Sequence, residues 1–325
     1  MKEVVLRIVA QVSSRAFLGT DLRRHERWLR ITREYTINSL EAAEQLLQVK
    51  EARQIIDTTI EQRQELKEQH RALGKDMPRF DDAIEWIDQA AAAKGISYDA
   101  TALQLALSLA AIHTTTDLLC QTLTRIAQNP DILAPLRDEI TSSIREYGWQ
   151  KSSLYNMKLL DSVLKQSQRL KPTEIVSMTR LALVEIKLSD GTVIPANSGL
   201  AVSSHRMWDE KLHASPEQWD GYRFYKMREE PGKQNVAQLV STSPDHLAFG
   251  HGMHAYPGRF FAANELKIVL IVIIMRYDWD LPEGSSPRIF EHGFSLAGDP
   301  FLKMRIRYRP RDMDFGVTPT TTATN

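Results

Sequence analysis

The sequence predicts a mainly α-helical fold with a small β region late in the chain. Three observations carry this. Apolar residues recur at three- and four-residue spacing over most of the first 170 positions. The pattern switches to alternation and β-branched residues near residue 175. A glycine-dense loop, "FGHGMHAYPGRFFA" from Phe249 to Ala262, then leads into an apolar helical run.

Residues 1–75 read as helical, through "VVLRIVAQVSSRAFL" and "INSLEAAEQLLQVKEARQIIDTTI". The charged stretch Arg63–Phe80 reads as a solvated helix face running into a Gly and Pro linker. Phe80–Ala93 is amphipathic. One long helix follows over 99–129, with Asp99 placed to cap its start and Pro130 after its end. Its middle is apolar nearly all round, which predicts burial. "DILAPLRDEITSSIREYG" is a shorter helix stopped by Gly148, and "LYNMKLLDSVLKQSQRLKP" another that ends before Pro172. Residues 175–208 read as a small hairpin sheet around an "SDGT" turn. A loop-rich stretch covers 209–248, a helix spans Pro257 to Tyr277, and strand-like segments such as "KMRIRYRP" close the fold. The organisation expected is one domain over 1–312 and a low-complexity, disordered tail over 313–325.

Charge excludes one large class of function. The chain has 41 basic and 41 acidic residues, without the basic excess of a general nucleic-acid binder. Cys120 is the single cysteine, so neither an internal disulfide nor a cysteine-based metal cluster can form. The N-terminal stretch is a poor secretory signal. The most apolar run, Ile268–Met275, is far shorter than the ~20 residues of a membrane-spanning helix, so no transmembrane anchor is expected.

Four motifs carry chemistry. "AAIHTTTD", Ala110–Asp117, puts hydroxyls on the long helix, and Thr114 can both donate and accept a hydrogen bond. "KQSQRLKP" sets Gln166 and Arg169 at i, i+3, on one helix face. "PEQWDGYRF" carries Arg223. The glycines of the loop at 249–258 suit backbone that bends sharply or approaches another group closely. In this order the motifs resemble those of the cytochrome P-450 superfamily, the haem-thiolate monooxygenases, and most closely the fungal members that modify terpenoids and alkaloids. The resemblance runs over roughly residues 1–312 and implies a haem cofactor, a hydrophobic small-molecule substrate and a redox reductase as partner.

The resemblance also assigns roles. Thr114 matches the threonine that helps deliver protons to iron-bound oxygen, with His113 where many members carry an acid. Gln166 stands where the family has glutamate in Glu-x-x-Arg. Arg169 matches that motif's arginine, and Arg223 the second arginine that joins the cluster. Without the glutamate, two buried arginines would lack their compensating anion. In Phe-Gly-x-Gly-x-His-x-Cys-x-Gly-Arg-x-x-Ala, this chain matches Phe249, Gly250, Gly252, His254, Gly258, Arg259 and Ala262. His254 and Arg180 match positions that contact the haem propionates. At the iron-ligating cysteine stands Tyr256. A phenol is longer than a thiol and holds its proton to a pH near ~10, so it is a poor substitute for the thiolate.

The chain further reads as a truncated version of the fold, lacking the early sheet strands and first helices. The expected function is therefore a descendant of a haem-dependent monooxygenase of fungal secondary metabolism, impaired at its iron ligand. It is placed in the cytoplasm or peripherally on the endoplasmic reticulum membrane. Two alternatives stand beside it: a haem-free isomerase or cyclase using the old substrate pocket, and a non-catalytic partner of an intact relative.

Overall fold

The structure, a computed structural model, describes residues 1–35 and 42–309, with the backbone alone at 42–45. The expected tail at 313–325 lies outside the described residues. The chain divides into two compact units, Met1–Asp117 and Leu118 to the C-terminus.

The first unit holds α1 (Lys2–Leu22), α2 (Glu26–Glu34), α3 (Ala42–Ala72), α4 (Ala83–Lys94) and the start of α5 (Ala100–Gln128). The helices gather an apolar core that includes Val9, Leu18, Trp28, Ile31 and Ile56. Asp99 caps α5 as the sequence predicts, accepting the Ala102 amide at 3.0 Å. The stretch Arg63–Phe80 departs from its solvated reading. The Arg63 guanidinium is buried and makes a two-point pair with Asp82 at 2.9 and 2.6 Å. It also lies 4.4 Å from the centre of the Phe80 ring. Lys67 pairs with Glu85 at 2.8 Å. The partners stand some 18 or 19 residues away, past the linker, so local charge pattern gave no sign of them. Asp82 also caps α4 through the Glu85 amide at 3.2 Å. Where it packs against α1, the chain bends at Gly19, with φ of 81°. A β-carbon there would lie 2.4 Å from Asp82 Oδ2, so both backbone angle and space require glycine.

The second unit takes the rest of α5, then α6 (Leu133–Tyr147), α7 (Lys151–Asn156) and α8 (Lys158–Leu170). The single helix expected over 154–170 is broken at Met157, whose ψ of 75° is non-helical. No Gly or Pro marks the break. The cap comes from a distant residue, since the Glu139 carboxylate on α6 accepts the Leu159 and Leu160 amides at 2.7 and 2.9 Å. A short helix, α9 (Arg223–Glu229), lies inside the stretch read as loop. At seven residues it is too brief to show periodicity. The last helix, α10 (Arg259–Arg276), is buried along much of its length, including Leu270, Ile271 and Ile274.

The β region consists, among the described residues, of two-stranded antiparallel ladders. β1 (Val176–Leu181) pairs with β4 (Gly199–Ser203), with a bulge between Ser177 and Arg180. Inside that hairpin β2 (Ile186–Lys187) pairs with β3 (Val193–Ile194) around the Asp190–Gly191 turn. β5 (Tyr277–Asp280) pairs with β8 (Arg305–Tyr308), and β6 (Ile289–His292) with β7 (Ser295–Gly298). Arg137 of α6 ties the end of α10 to β5, donating to the Ile274 carbonyl at 3.0 Å and to Asp278 at 2.7 Å. The fold is mainly α with a small β region, as expected.

Candidate functional site

The second unit is organised around α8. Nearly every residue of this helix is buried, including Asp161, Lys165, Gln166, Gln168 and Arg169. Polar side chains at such burial need partners, and their partners are mostly backbone groups of the stretch 207–246. Lys165 donates to the carbonyls of Val236, Gln238 and Ser241 at 2.9, 2.7 and 3.1 Å. Ser162 donates to the Gly221 carbonyl at 2.6 Å and accepts the Tyr225 amide at 2.9 Å. Asp161 accepts Lys267 of α10 at 2.6 Å, Arg228 of α9 and the Leu239 amide at 2.8 Å. A segment with little secondary structure of its own is thus held by one polar helix.

Gln166, Arg169 and Arg223 meet as the resemblance implies. Arg169 is fully buried and donates through Nε to Gln166 Oε1 at 3.0 Å, and through its other nitrogens to the Met207 and Pro216 carbonyls, the latter at 2.6 Å. Gln166 Nε2 donates to the Gln218 carbonyl at 3.1 Å. Arg223 donates to the Ala214 carbonyl at 2.8 Å and reaches the same Gln218 carbonyl at 3.5 Å. The expected fault, two buried cations without an anion, takes a milder form. Arg223 is only partly buried, Arg169 is ringed by neutral acceptors, and the Glu217 carboxylate is close enough to act on it. Burial and the nearby Arg223 still lower the Arg169 guanidinium to about 10, which leaves it charged at neutral pH.

Two histidines beside this cluster were not singled out in the sequence. His246 is buried, with Nε2 3.1 Å from Gln168 Oε1, and its ring stands edge-on to Phe224. The His213 ring also stands edge-on to Phe224, 6.3 Å between ring centres. Burial, then Arg169 and Arg223, push His213 down to about 4. Burial, then Lys165, His213 and Arg169, hold His246 well below its usual value. Between about 4 and the unfolded value of 6.5, the unfolded chain therefore binds protons that the folded chain does not. The stability these neutral rings contribute is complete above pH 6.5 and is lost as pH falls toward 4. Thermal melts from pH 7.5 to 4.5 are expected to show a falling midpoint below 6.5. A His213→Gln variant should show a shallower fall.

The glycine loop forms a second cluster. Gly250 and Gly252 turn the chain with φ of 66° and 74°. The Tyr256 amide returns to the Phe249 carbonyl at 2.8 Å. Arg259, at the start of α10, clamps the Tyr256 carbonyl at 2.9 Å and the Val240 carbonyl at 3.1 Å. The Tyr256 ring stacks on Phe249, with centroids 6.2 Å apart and planes inclined by 21°. It lies so close to Gly258 that a β-carbon there would be 2.8 Å from Cζ and Oη. Burial, reinforced by the Glu265 carboxylate, raises the phenol above its usual range, so Tyr256 keeps its proton.

His254 and Arg180 are exposed, and Arg180 donates to its neighbour's carbonyl at Thr179. Among the described residues neither hydrogen-bonds another predicted site residue. Thr114, in the first unit, is exposed and donates to the Ala110 carbonyl at 2.7 Å, which leaves its oxygen free only to accept. Burial lowers the His113 imidazole, which is therefore neutral at pH 7. The loop does not fit the implied haem iron. A phenol folded onto Phe249 stands where the thiolate is expected, and the one thiol, Cys120, is on α5.

Comparison with known proteins places these features. The profile of the family Cytochrome P450 matches residues 37–302. "Cytochrome P450 monooxygenase hepE" of Aspergillus oryzae is 46% identical, over 95% of this chain and 60% of its own length. "Cytochrome P450 monooxygenase 1" of Gibberella fujikuroi is 42% identical, over 96% of this chain and 76% of its own. The crystal structure of the cytochrome P450DA heme domain superposes with a TM-score of 0.71 at 16% identity, covering 95% of this chain and 68% of that one. The chain thus spans about 60% of the length of the first of these relatives.

Proposed function

The chain belongs to the cytochrome P450 family, and from that premise we propose that it descends from a haem-dependent monooxygenase of fungal secondary metabolism whose iron ligand has been replaced by Tyr256, leaving oxygen activation impaired. The observation that carries the reading is the state of Tyr256. Its ring is stacked on Phe249 inside the loop, at the position where the family has its cysteine. A thiolate promotes O–O cleavage by donating electron density to the iron, and this loop carries no thiol. By family, the substrate is a hydrophobic small molecule of terpenoid or alkaloid type, and a reductase partner is of use only if haem is bound. The location that accompanies this reading is cytoplasmic or peripheral to the endoplasmic reticulum membrane. α5 is long and apolar enough by composition to cross a membrane, but 56% of its apolar window is buried inside the protein, as in a core helix.

The test is an absorption spectrum of the purified chain supplied with hemin, reduced and exposed to carbon monoxide, together with product analysis in the presence of a reductase. No thiolate-type band and no reductase-dependent oxygenation are expected. A thiolate-type band that is lost on Cys120→Ala would overturn the reading, since it would make Cys120 the iron ligand. So would steady oxygenation by the unaltered chain.

A further inference from the structure

We propose that the Tyr256 ring is the packing anchor of its loop, so that the loop at 249–258 is folded by an internal side chain rather than by a bound macrocycle. This rests on the reading of Tyr256 as the residue at the iron-ligand position, and takes it further by giving the ring a structural task in the haem-free protein.

Exposed side chains form the tip of the loop. Met253 is 94% exposed and His254 is exposed as well. Nothing lies within 4 Å of where a β-carbon on Gly252 would be, and the nearest atoms around Gly250 are at 3.8 Å. Hydrogen bonds run along it, from the Gly250 amide to Leu247, Ala255 to Gly252, Tyr256 to Phe249 and Arg259 to Tyr256, and His251 Nδ1 lies 3.1 Å from the Thr242 hydroxyl. Beside these bonds stands one aromatic stack, the Tyr256 ring on Phe249, and its far edge is closed by Gly258. Aromatic pairs of this geometry stabilise beyond their area alone. A cysteine at 256 removes the ring and leaves Phe249 and Gly258 facing a gap.

Gly258 gives a direct probe of the contact. Its φ and ψ of −73° and −1° are ordinary for alanine. The three atoms nearest to an alanine β-carbon there all belong to the Tyr256 side chain, the closest at 2.8 Å. The cost of Gly258→Ala should therefore depend on what occupies position 256.

The experiment is a set of thermal melts of haem-free protein: the wild type, Tyr256→Phe, Tyr256→Cys, Tyr256→Leu, Gly258→Ala and the double variant Tyr256→Cys/Gly258→Ala. Tyr256→Phe keeps the stack and should melt within about 1 °C of wild type, while Tyr256→Cys and Tyr256→Leu should fall by about 4 °C or more. Gly258→Ala should lower the wild-type midpoint by about 3 °C and the Tyr256→Cys midpoint by less than about 1 °C. Tyr256→Leu supplies the comparison where the cysteine variant does not accumulate. The proposal is overturned if Tyr256→Cys melts at or above the wild type, if Tyr256→Phe falls as far as Tyr256→Leu, or if Gly258→Ala costs the same in both backgrounds. Because every melt is run without haem, hemin binding by the wild type would count against the replaced-ligand reading and not against the anchor.

Discussion

Asp161→Ala is expected to destabilise the second unit by about 3–5 kcal/mol, measured by urea denaturation, because it removes the anion paired with both Lys267 and Arg228 in a buried cluster. Asp161 is 4% exposed and joins three elements through Lys267 on α10, Arg228 on α9 and the Leu239 amide. Burial opposes its charge, but the attraction of Lys267 and Arg228 outweighs burial and holds its carboxyl below the usual range. With alanine, two buried cations lose their counter-charge and the Leu239 amide loses its acceptor. Asp161→Asn keeps the shape and an acceptor, and should cost less, by about 1–2 kcal/mol. A further variant separates broken pairing from lost packing. Adding Lys267→Met and Arg228→Met to Asp161→Leu removes all three charges together, and should recover part of the loss, since apolar replacement of a buried ionic cluster is often close to neutral. Equal instability in the single and triple variants would mean that packing, and not stranded charge, sets the cost.

That cluster also shows what could be read from the chain and what could not. The long helix was legible because its ends are written locally, by Asp99 and Pro130. The inner hairpin was legible from its "SDGT" turn. The family motifs lie in α8, in the segment that ends at Arg223, and in the glycine loop, and each could be found because it is a short pattern of residue types. Asp161 and Lys165 drew no notice, although they lie four residues apart on the same helix as Gln166. Their partners are backbone carbonyls and side chains about 67 to 106 positions away, and no local pattern encodes a carbonyl's direction. The same holds for Glu139, which caps a helix from another helix, and for Arg63, whose partner Asp82 lies beyond a Pro-containing linker. His246 was an unremarked loop histidine until burial and Gln168 gave it an environment. Side chains whose chemistry is settled by distant backbone are the ones the sequence leaves unread.

Arg169→Met is expected to cost a further about 3–5 kcal/mol on its own, and the reason lies in its acceptors. The guanidinium is the common donor to Gln166 Oε1 and to the carbonyls of Met207 and Pro216. Its removal strands three buried acceptors and frees the segment between 207 and 216 from α8. Arg169→Lys keeps the charge but not the planar fork that reaches three directions, and should recover only part of the loss. Gln166 tests whether the missing carboxylate is a fault. As glutamine it accepts from Arg169 and donates to the Gln218 carbonyl, so both ends of the amide are used. Gln166→Glu strengthens the first contact through charge, and replaces the second by a carboxylate oxygen facing a carbonyl oxygen. The two effects oppose each other, and stability should change by less than about 1 kcal/mol. A gain of several kcal/mol from Gln166→Glu would show that Arg169 and Arg223 are uncompensated as they stand. Near-neutrality, with a large loss from Arg169→Met in the same assay, would show that neutral carbonyls suffice to hold the buried cation.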